Sequence, residues 1–188
     1  MHLGAPDRSS RTMRGAQSRR AHVEHSPRDG QEESGLYVYC ACGRRHWGVH
    51  GAAGLLVTDR DRTGVLLQRR SALVHHGNTW ALMGGAVEAG ESPLEAALRE
   101  AYEEEGLDPG GVTPVRTFPG TTHPDWSYTY VLVEAPRPAD PIVSRGGGWE
   151  SDGARWVDLP AVPALGLHPS LRGDWPYVLE MLTEMPTA

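Results

Sequence analysis

Apolar residues cluster along the chain in short runs that predict a series of strands. The runs at 52–59 and 65–70 are separated by a polar turn at 61–64, which is the pattern of a β-hairpin. Two further apolar runs, at 126–135 and 154–159, predict two more strands. The beginning of the chain lacks such runs, so order is expected to start only near "GLYVYCACG".

A helix is predicted at 93–105 from the signals at its two ends. Ser92 and Glu95 have the spacing of a capping box, and Pro93 occupies the first helical position, where a missing N–H costs nothing. Gly106 follows as a left-handed C-cap. These signals are local, so they predict the bounds of the helix without any knowledge of its partners.

The remaining pattern completes an α/β fold in a single domain. A Pro- and Asp-rich loop is expected at 136–148, and a last helix around 176–185. Strands before, between and after helices predict a mixed sheet with helices packed against it. Residues 1–33 are rich in Arg, Ser and Gly and almost free of large apolar side chains, so we expect a disordered tail there and one domain over 34–188.

Composition excludes several classes of protein. No apolar run approaches the roughly 18 residues that a membrane span needs, and no apolar segment follows the basic start, so we expect no membrane partner. The residues after the tail carry 12 Arg against 19 acids, a net charge of −7, which argues against general nucleic-acid binding. With only two cysteines, a disulfide framework is excluded and a cytoplasmic location fits.

The predicted helix has two distinct faces. Its apolar stripe, expected to pack on the sheet, comprises Leu94, Ala97, Leu98, Ala101 and Tyr102. Beside the stripe lie Glu100, Glu103 and Glu104, which are neighbours at i, i+3 and i+4. Three carboxylates in the last turns repel one another and oppose the helix dipole, so the arrangement does not stabilise the helix by itself. Oxygen ligands on one face instead predict a site for Mg²⁺ or Mn²⁺.

The segment around this helix resembles a known family motif. The stretch "GAVEAGESPLEAALREAYEEEGL", from Gly85 to Leu107, is similar to the complete Nudix box, G-x5-E-x7-R-E-U-x-E-E-x-G-U, in which U is aliphatic. No position of the motif is missing. The chain is therefore identified as a member of the MutT-like Nudix hydrolases.

The resemblance implies an activity and a set of site residues. Nudix hydrolases cleave the pyrophosphate of a nucleoside diphosphate linked to a further group, on an α/β/α sandwich with a mixed β-sheet. By resemblance, Glu100, Glu103 and Glu104 bind the divalent metal ions together with the backbone carbonyl of Gly85. Arg99 is expected to pair with Glu91 and to brace the loop against the helix. The implied substrates are nucleoside triphosphates, oxidised nucleotides, nucleotide sugars or ADP-ribose-type molecules.

Outside the motif the resemblance is weaker. Met83 stands where the family commonly has a proline before the two glycines, which removes no ligand. Glu150, six residues before Trp156, resembles a distal acid that serves as an extra metal ligand or general base, and Asp152 competes for that role. Glu104 is the other candidate base. The choice between the candidates depends on which carboxylate lies within hydrogen-bond reach of the attacking water.

Substrate contacts are expected from residues near the motif. Arg69 and Arg70 end a strand, and because strand side chains alternate, at most one of them points into a given cleft and binds phosphate. The candidates for stacking on a base or reading its edge are Trp80, His123, Asp125, Trp126 and Tyr128. Aromatic residues in such a domain more often belong to the core, so these contacts are the weaker expectation.

One alternative function, the oligomeric state and one further cluster remain to be considered. A nucleotide-sensing Nudix-fold binding module would be expected to lose metal carboxylates, and all three are present here. Homodimers are frequent in the family, although the sequence leaves the oligomeric state open. The set Cys40, Cys42, His46 and His50 has zinc-type ligands, but one residue between the cysteines is tight for chelation, so an ordered N-terminal strand and turn is favoured.

Overall fold

A computed structural model describes residues 37–138, 142–144 and 149–184. The predicted tail at 1–33 lies outside the described residues. Within the described ranges, no helix combines the length and the apolar character needed to cross a membrane.

The described chain alternates strands with two α-helices and two short 3₁₀ helices. The strands are β1 Tyr37–Tyr39, β2 Arg45–Trp47, β3 Ala52–Thr58, β4 Gly64–Arg70, β5 Trp80–Ala81, β6 Met83–Ala86, β7 Thr113–His123, β8 Trp126–Glu134, β9 Ile142–Ser144 and β10 Ser151–Asp158. The α-helices are α1 Pro93–Glu105 and α2 Pro169–Thr183. The 3₁₀ helices are Pro109–Gly111 and Leu159–Ala164.

Eight of the strands form one mixed sheet. Its main order is β7-β8-β3-β4-β10-β9, with β5 paired to β4 and β6 paired to β3. Strand β3 runs parallel to β8 over its full length, while its other pairings are antiparallel. Strands β1 and β2 form a separate two-stranded sheet. The predicted mixed sheet is thus confirmed.

A hydrophobic core lies on each face of the sheet, because successive strand residues point to opposite sides. Leu55 belongs to the core under α1, and its neighbour Leu56 belongs to the core under α2. Helix α1 contributes Ala96, Ala97 and Ala101 to the first core. Helix α2 contributes Leu171, Trp175, Val178 and Leu182 to the second. The architecture is therefore the expected α/β/α sandwich.

The predicted hairpin of β3 and β4 is present but short. Only Val57 and Thr58 of β3 pair with β4. The first half of β3 pairs instead with β6, where Ala53 stands opposite Gly85. The glycine-rich strand β6 is therefore held in the middle of the sheet, directly beside α1.

Helix α1 has the bounds that its sequence predicts. The Ser92 side chain accepts from the Glu95 amide, and Gly106 adopts the left-handed conformation with φ of 69°. The predicted apolar stripe was wrong at Tyr102, which is 61% exposed. Ala96 is buried instead. Compared with the predicted stripe, the face of the helix that meets the sheet is rotated toward Ala96 and away from Tyr102.

Three predicted boundaries were wrong. The predicted loop at 136–148 contains β9, which pairs with β10 at one edge of the sheet. Strand β10 begins at Ser151 rather than at residue 154. Helix α2 begins at Pro169 rather than near residue 176, with His168 as its N-cap and Pro169 at a first-turn position that tolerates proline.

Candidate active site

The close approach of β6 and α1 forms the floor of the site. A Cβ atom added at Gly85 would lie 2.5 Å from Oε1 of Glu100, which is closer than any side chain tolerates. Glycine at this position therefore lets the Glu100 carboxylate reach the backbone of the strand. The Gly85 main chain and the Glu100 carboxylate thus meet at one point, as the proposed metal ligands must.

Glu104 is buried and is held by two donors. Its Oε2 atom accepts from Nε2 of Gln68 at 3.0 Å and from the amide of Gly84 at 3.1 Å. Burial raises the pKa of Glu104 to about 8, and the charges of Glu100 and Glu150 add to the increase. The Gly84 bond and the charge of Arg70 act in the opposite direction but are outweighed.

The pKa of Glu100 is also raised by burial, whereas Glu103 faces solvent. Burial raises the pKa of Glu100, and the neighbouring charges of Glu103 and Glu150 act in the same direction. The side chain of Glu103 is 57% exposed. Two acids that burial drives toward the neutral form require a cation in order to be charged together. The oxygen donors therefore fit a hard divalent cation such as Mg²⁺ or Mn²⁺.

Arg99 joins the loop, the strand and the helix. Its Nε and Nη2 atoms donate to the two oxygens of Glu91 at 2.8 and 3.1 Å, which is a bidentate pair. Its Nη1 atom donates to Oε1 of Glu100 at 2.8 Å, and Nη2 also donates to the carbonyl of Ala86 at 3.1 Å. A longer contact of 3.4 Å reaches Glu103. Arg99 thus meets Glu91, as the resemblance implies, and orients Glu100 as well.

The distal acids Glu150 and Asp152 differ in their relation to this cluster. The charge of Glu150 contributes to the raised pKa of both Glu100 and Glu104, so its carboxylate lies close enough to act on them electrostatically. The Glu150 carbonyl accepts from the Ser71 amide at 2.8 Å, which ties this loop to the end of β4. Asp152 is exposed and contributes to neither shift.

Glu105 is a buried residue whose role was missed from the sequence. Its carboxylate accepts from the Ser151 hydroxyl, which joins the end of α1 to the start of β10. Ser151 Oγ in turn accepts from the Gly153 amide at 3.0 Å, at the start of β10, where the pairing with β4 shifts register. A signal was present, since Glu105 follows buried Ala101 by four residues and so falls on the face that packs on the sheet.

Gln68 is the second missed residue. It is 1% exposed and lies on β4 on the same face as Leu66, which belongs to the core under α1. The alternation of "VLLQRR" could have identified it, because it places a polar side chain at a core-facing position two residues before Arg70. Such a residue needs a polar partner, and here the partner is Glu104.

Arg69 and Arg70 point to opposite faces of the sheet, as strand alternation requires. Arg70 shares the face of Gln68, and its charge acts on the pKa of Glu104. Two of its nitrogens, Nε and Nη2, donate to the carbonyl of His75 at 3.3 and 3.2 Å. Arg69 is exposed on the other face and pairs across the sheet with Trp80.

Trp80 and Tyr128 both pack toward the α2 side of the sheet. The guanidinium of Arg155 lies 4.3 Å from the centre of the Trp80 ring. The hydroxyl of Tyr128 lies over Gly54, since a Cβ atom there would be 1.7 Å away. Their predicted contact with a base stays a prediction.

His123 and Trp126 contact the β1–β2 hairpin. The ring of His46 stacks on His123 with 4.3 Å between centroids and on Trp126 with 4.8 Å. The Trp126 indole N–H donates to the carbonyl of Trp47 at 2.7 Å. Aromatic surface expected to bind substrate is therefore covered in part by the hairpin, and Asp125 accepts from the Ala41 amide at 2.7 Å.

Comparison with known proteins points to one family. Residues 48–175 match the NUDIX domain. The nucleoside triphosphate pyrophosphatase/Nudix hydrolase fusion protein of Bifidobacterium longum (strain NCC 2705) is 38% identical over 169 residues, which are 87% of this chain and 33% of that protein. The putative 8-oxo-dGTP diphosphatase 3 of Mycobacterium tuberculosis (strain ATCC 25618 / H37Rv) is 36% identical over 147 residues, 74% of this chain and 66% of that protein. The chain thus spans a third and just under two thirds of the length of these two relatives.

A solved structure shares the fold. The crystal structure of a Nudix hydrolase from M. smegmatis, RenU, has a TM-score of 0.71 and 35% sequence identity to this chain. The similarity covers 81% of this chain and 97% of that one.

Proposed function

The chain belongs to the NUDIX family, and we propose that it hydrolyses the pyrophosphate bond of a nucleoside diphosphate derivative with Mg²⁺ or Mn²⁺ as cofactor. One observation carries the proposal. Glu104 is buried near Glu100 with its pKa raised to about 8, so without a cation Glu104 keeps its proton, and a bound divalent cation is what would let both acids be charged together. A site built only for stability would not place two acids in this way.

In this proposal Glu100, Glu103, Glu104 and the Gly85 carbonyl hold the metal ions. A divalent cation bound there would neutralise the pyrophosphate and lower the pKa of the attacking water. Arg99 keeps Glu100 aimed at the site, and Glu91 keeps Arg99 in place. Gln68 and the Gly84 amide fix Oε2 of Glu104, which leaves its Oε1 atom as the free ligand.

We assign the general base to Glu150. The geometry of Glu104 supports this choice, because a buried carboxylate held by two donors is suited to ligation rather than to proton transfer with solvent. Glu150 is exposed at the edge of the cluster, and its charge acts on both buried acids. In the reaction, the water loses its proton to the Glu150 carboxylate as its oxygen attacks phosphorus, and the phosphate leaving group departs on the opposite side.

Arg70 is our candidate for the phosphate contact. It lies on the same sheet face as Gln68, the face that α1 and Glu104 cover, and the charge of its guanidinium lowers the pKa of Glu104. Arg69 points to the opposite face and is the matched control. Arg70→Met should therefore raise KM for the nucleotide more than Arg69→Met does.

Among the expected substrates, we place oxidised purine nucleoside triphosphates first. The support is the 36% identity to the putative 8-oxo-dGTP diphosphatase 3 over 74% of this chain. Ordinary nucleoside triphosphates, nucleotide sugars, ADP-ribose and dinucleoside polyphosphates belong in the same panel.

The test is release of phosphate and pyrophosphate from that panel with Mg²⁺, Mn²⁺ or EDTA, for the natural chain and for Glu104→Gln. Turnover that requires the metal and is lost in Glu104→Gln supports the proposal. If no nucleotide is hydrolysed while one of them raises the melting temperature, the chain is a nucleotide-sensing binding module and the proposal is wrong. Glu150→Gln beside Asp152→Asn tests the base, and an equal loss in both would refute the assignment.

A further inference from the structure

The β1–β2 hairpin brings together three side chains that bind soft metal ions. Cys40 lies at the end of β1, Cys42 lies in the turn, and His46 lies on β2 opposite Val38. We propose that Cys40, Cys42 and His46 form a zinc site, separate from the carboxylate cluster, that fastens this hairpin to the tip of the β7–β8 hairpin.

Distances between the ligand atoms are close to those of a zinc site. One ligand atom from each of the three residues can be chosen so that all lie within 4.8 Å of one another. Sγ of Cys42 is 3.2 Å from Nε2 of His46. Tetrahedral zinc, with Zn–S of about 2.3 Å and Zn–N of about 2.0–2.1 Å, sets its ligand atoms about 3.5–3.8 Å apart, so binding requires a movement of about 1.3 Å at most.

The turn also answers the objection that the cysteine spacing is tight. Cys40 and Gly43 close a turn through the Gly43 amide and the Cys40 carbonyl at 2.9 Å, with Gly43 at φ of 82°. Within it, the amide of Cys42 donates to Sγ of Cys40 at 3.4 Å. A metal-bound thiolate can accept the same N–H contact, so the turn is compatible with Cys40 as a ligand. The third ligand comes from the facing strand, so the two cysteines need not chelate the ion alone.

His46 is held in place by the main domain. Its ring stacks on His123 and Trp126, and the Trp126 indole N–H binds the carbonyl of Trp47. On the other side of the turn, Asp125 accepts from the amide of Ala41, between the two cysteines. The β7–β8 tip therefore supports both halves of the cluster, and a metal ion there would link the two hairpins.

The ligand set leaves one position open to solvent. Cys40 is buried, His46 is partly buried and Cys42 is exposed, so a water molecule would complete the tetrahedron at the Cys42 side. His50, which shares the sequence pattern, is not part of the described cluster and provides a matched control. Because thiolates select zinc over Mg²⁺, this site would not compete with the carboxylates for their cofactor.

The experiment measures metal content and cobalt spectra of the full chain. After loading with zinc and desalting, the natural chain and His50→Asn are expected to retain one equivalent, and Cys42→Ser and His46→Asn to lose it. With Co²⁺, the natural chain and His50→Asn should show a thiolate-to-cobalt charge-transfer band and the visible bands of a tetrahedral ion. Carboxylate-bound Co²⁺ has no such charge-transfer band, so binding at Glu100 and Glu104 is recognised separately.

A second measurement does not depend on variants that fold. Zinc should slow alkylation of the exposed Cys42 thiol in the natural chain by at least tenfold, and a chelator should restore the rate. The proposal is overturned if the natural chain retains no zinc, if cobalt gives no thiolate band, or if zinc leaves the alkylation rate unchanged. Equal zinc loss in His50→Asn would overturn the ligand assignment.

Discussion

Gln68 and Glu104 connect the sheet to helix α1 through a buried hydrogen bond, with Nε2 of Gln68 3.0 Å from Oε2 of Glu104. The same oxygen accepts from the Gly84 amide, so Glu104 is fixed from β4 and from β6. Both donors bind Oε2, so neither of these hydrogen bonds uses Oε1 of Glu104. In the proposed reaction, Gln68 is therefore a positioning residue that acts through Glu104.

Replacing Gln68 with methionine should lower kcat by about 10- to 100-fold with little change in KM, because loss of a residue that orients a metal ligand has effects of this size. The required metal concentration should rise as well. Leu67→Met is the control, since Leu67 is also fully buried but faces the α2 core. Steady-state kinetics over a range of Mg²⁺ concentrations check the prediction, and an equal loss in Leu67→Met would contradict it.

Glu104→Gln should abolish turnover and yet stabilise the metal-free protein at alkaline pH. The folded pKa of about 8 lies above the ordinary value of 4.5, so the folded state keeps a proton that the unfolded state releases. The contribution of Glu104 to the stability of the natural chain in EDTA is thus fully present below about pH 4.5 and is lost as pH rises toward 8. Glutamine keeps an acceptor for the Gln68 and Gly84 donors and carries no charge.

The measurement is the melting temperature in EDTA near about pH 6 and about pH 9. Glu104→Gln should narrow the difference between the two conditions, whereas Glu103→Gln, at an exposed position, should not. A fall in the melting temperature of Glu104→Gln at both values would mean that the charged acid is structural.

Arg99 and Glu91 should behave as a coupled pair. Arg99→Met leaves Glu91 and Glu100 without their shared donor, so unfolding should become easier by about 1–3 kcal/mol and activity should fall at least tenfold. Glu91→Gln should cost less, because Arg99 keeps its bonds to Glu100 and Ala86. A double-mutant cycle in urea should give a coupling of about 0.5–3 kcal/mol, and strict additivity would show that the bidentate pair contributes nothing.

The sequence predicted the bounds of α1 well because the signals at its ends are local. A capping serine, Pro93 and Gly106 set the helix ends, and the i, i+3, i+4 spacing placed three acids on one face. Strand β6 was missed, because "MGGA" carries almost no strand preference and its pairing with β3 is long-range. Glu105 was missed for a similar reason, since its partner Ser151 is 46 residues away.

Ser151→Ala should destabilise the domain more than an ordinary surface change. The buried Glu105 carboxylate would lose its Ser151 partner, and its Oε2 atom already lacks one among the described residues. We expect a loss of about 1–3 kcal/mol, or roughly 2–4 °C in melting temperature for each kcal/mol. Activity should fall too, because Ser151 adjoins Glu150. Asp152→Ala, at the exposed neighbour, should leave both nearly unchanged, and equal effects would contradict this account.

His168 should make the domain sensitive to mild acid. Its Nδ1 atom accepts from the Ser170 amide at 3.3 Å as the N-cap of α2, and its own amide binds the Trp80 carbonyl at 2.8 Å. Burial, together with the charges of Arg70, His76 and His75, lowers the pKa of His168 from 6.5 to about 4. The unfolded chain therefore takes up a proton first, and this contribution to stability is lost as pH falls from 6.5 toward 4.

Asparagine and alanine at this position separate the two roles of His168. Asparagine is a good N-cap and does not titrate, so His168→Asn should match the natural chain at neutral pH and lose less stability on acidification. Alanine removes the cap as well, so His168→Ala should cost about 0.5–2 kcal/mol at neutral pH and also show the weaker pH dependence. Urea unfolding at about pH 7 and about pH 5 distinguishes them. If His168→Asn keeps the full acid dependence of the natural chain, the proton is taken up elsewhere, because only this substitution removes the titrating ring while keeping the cap.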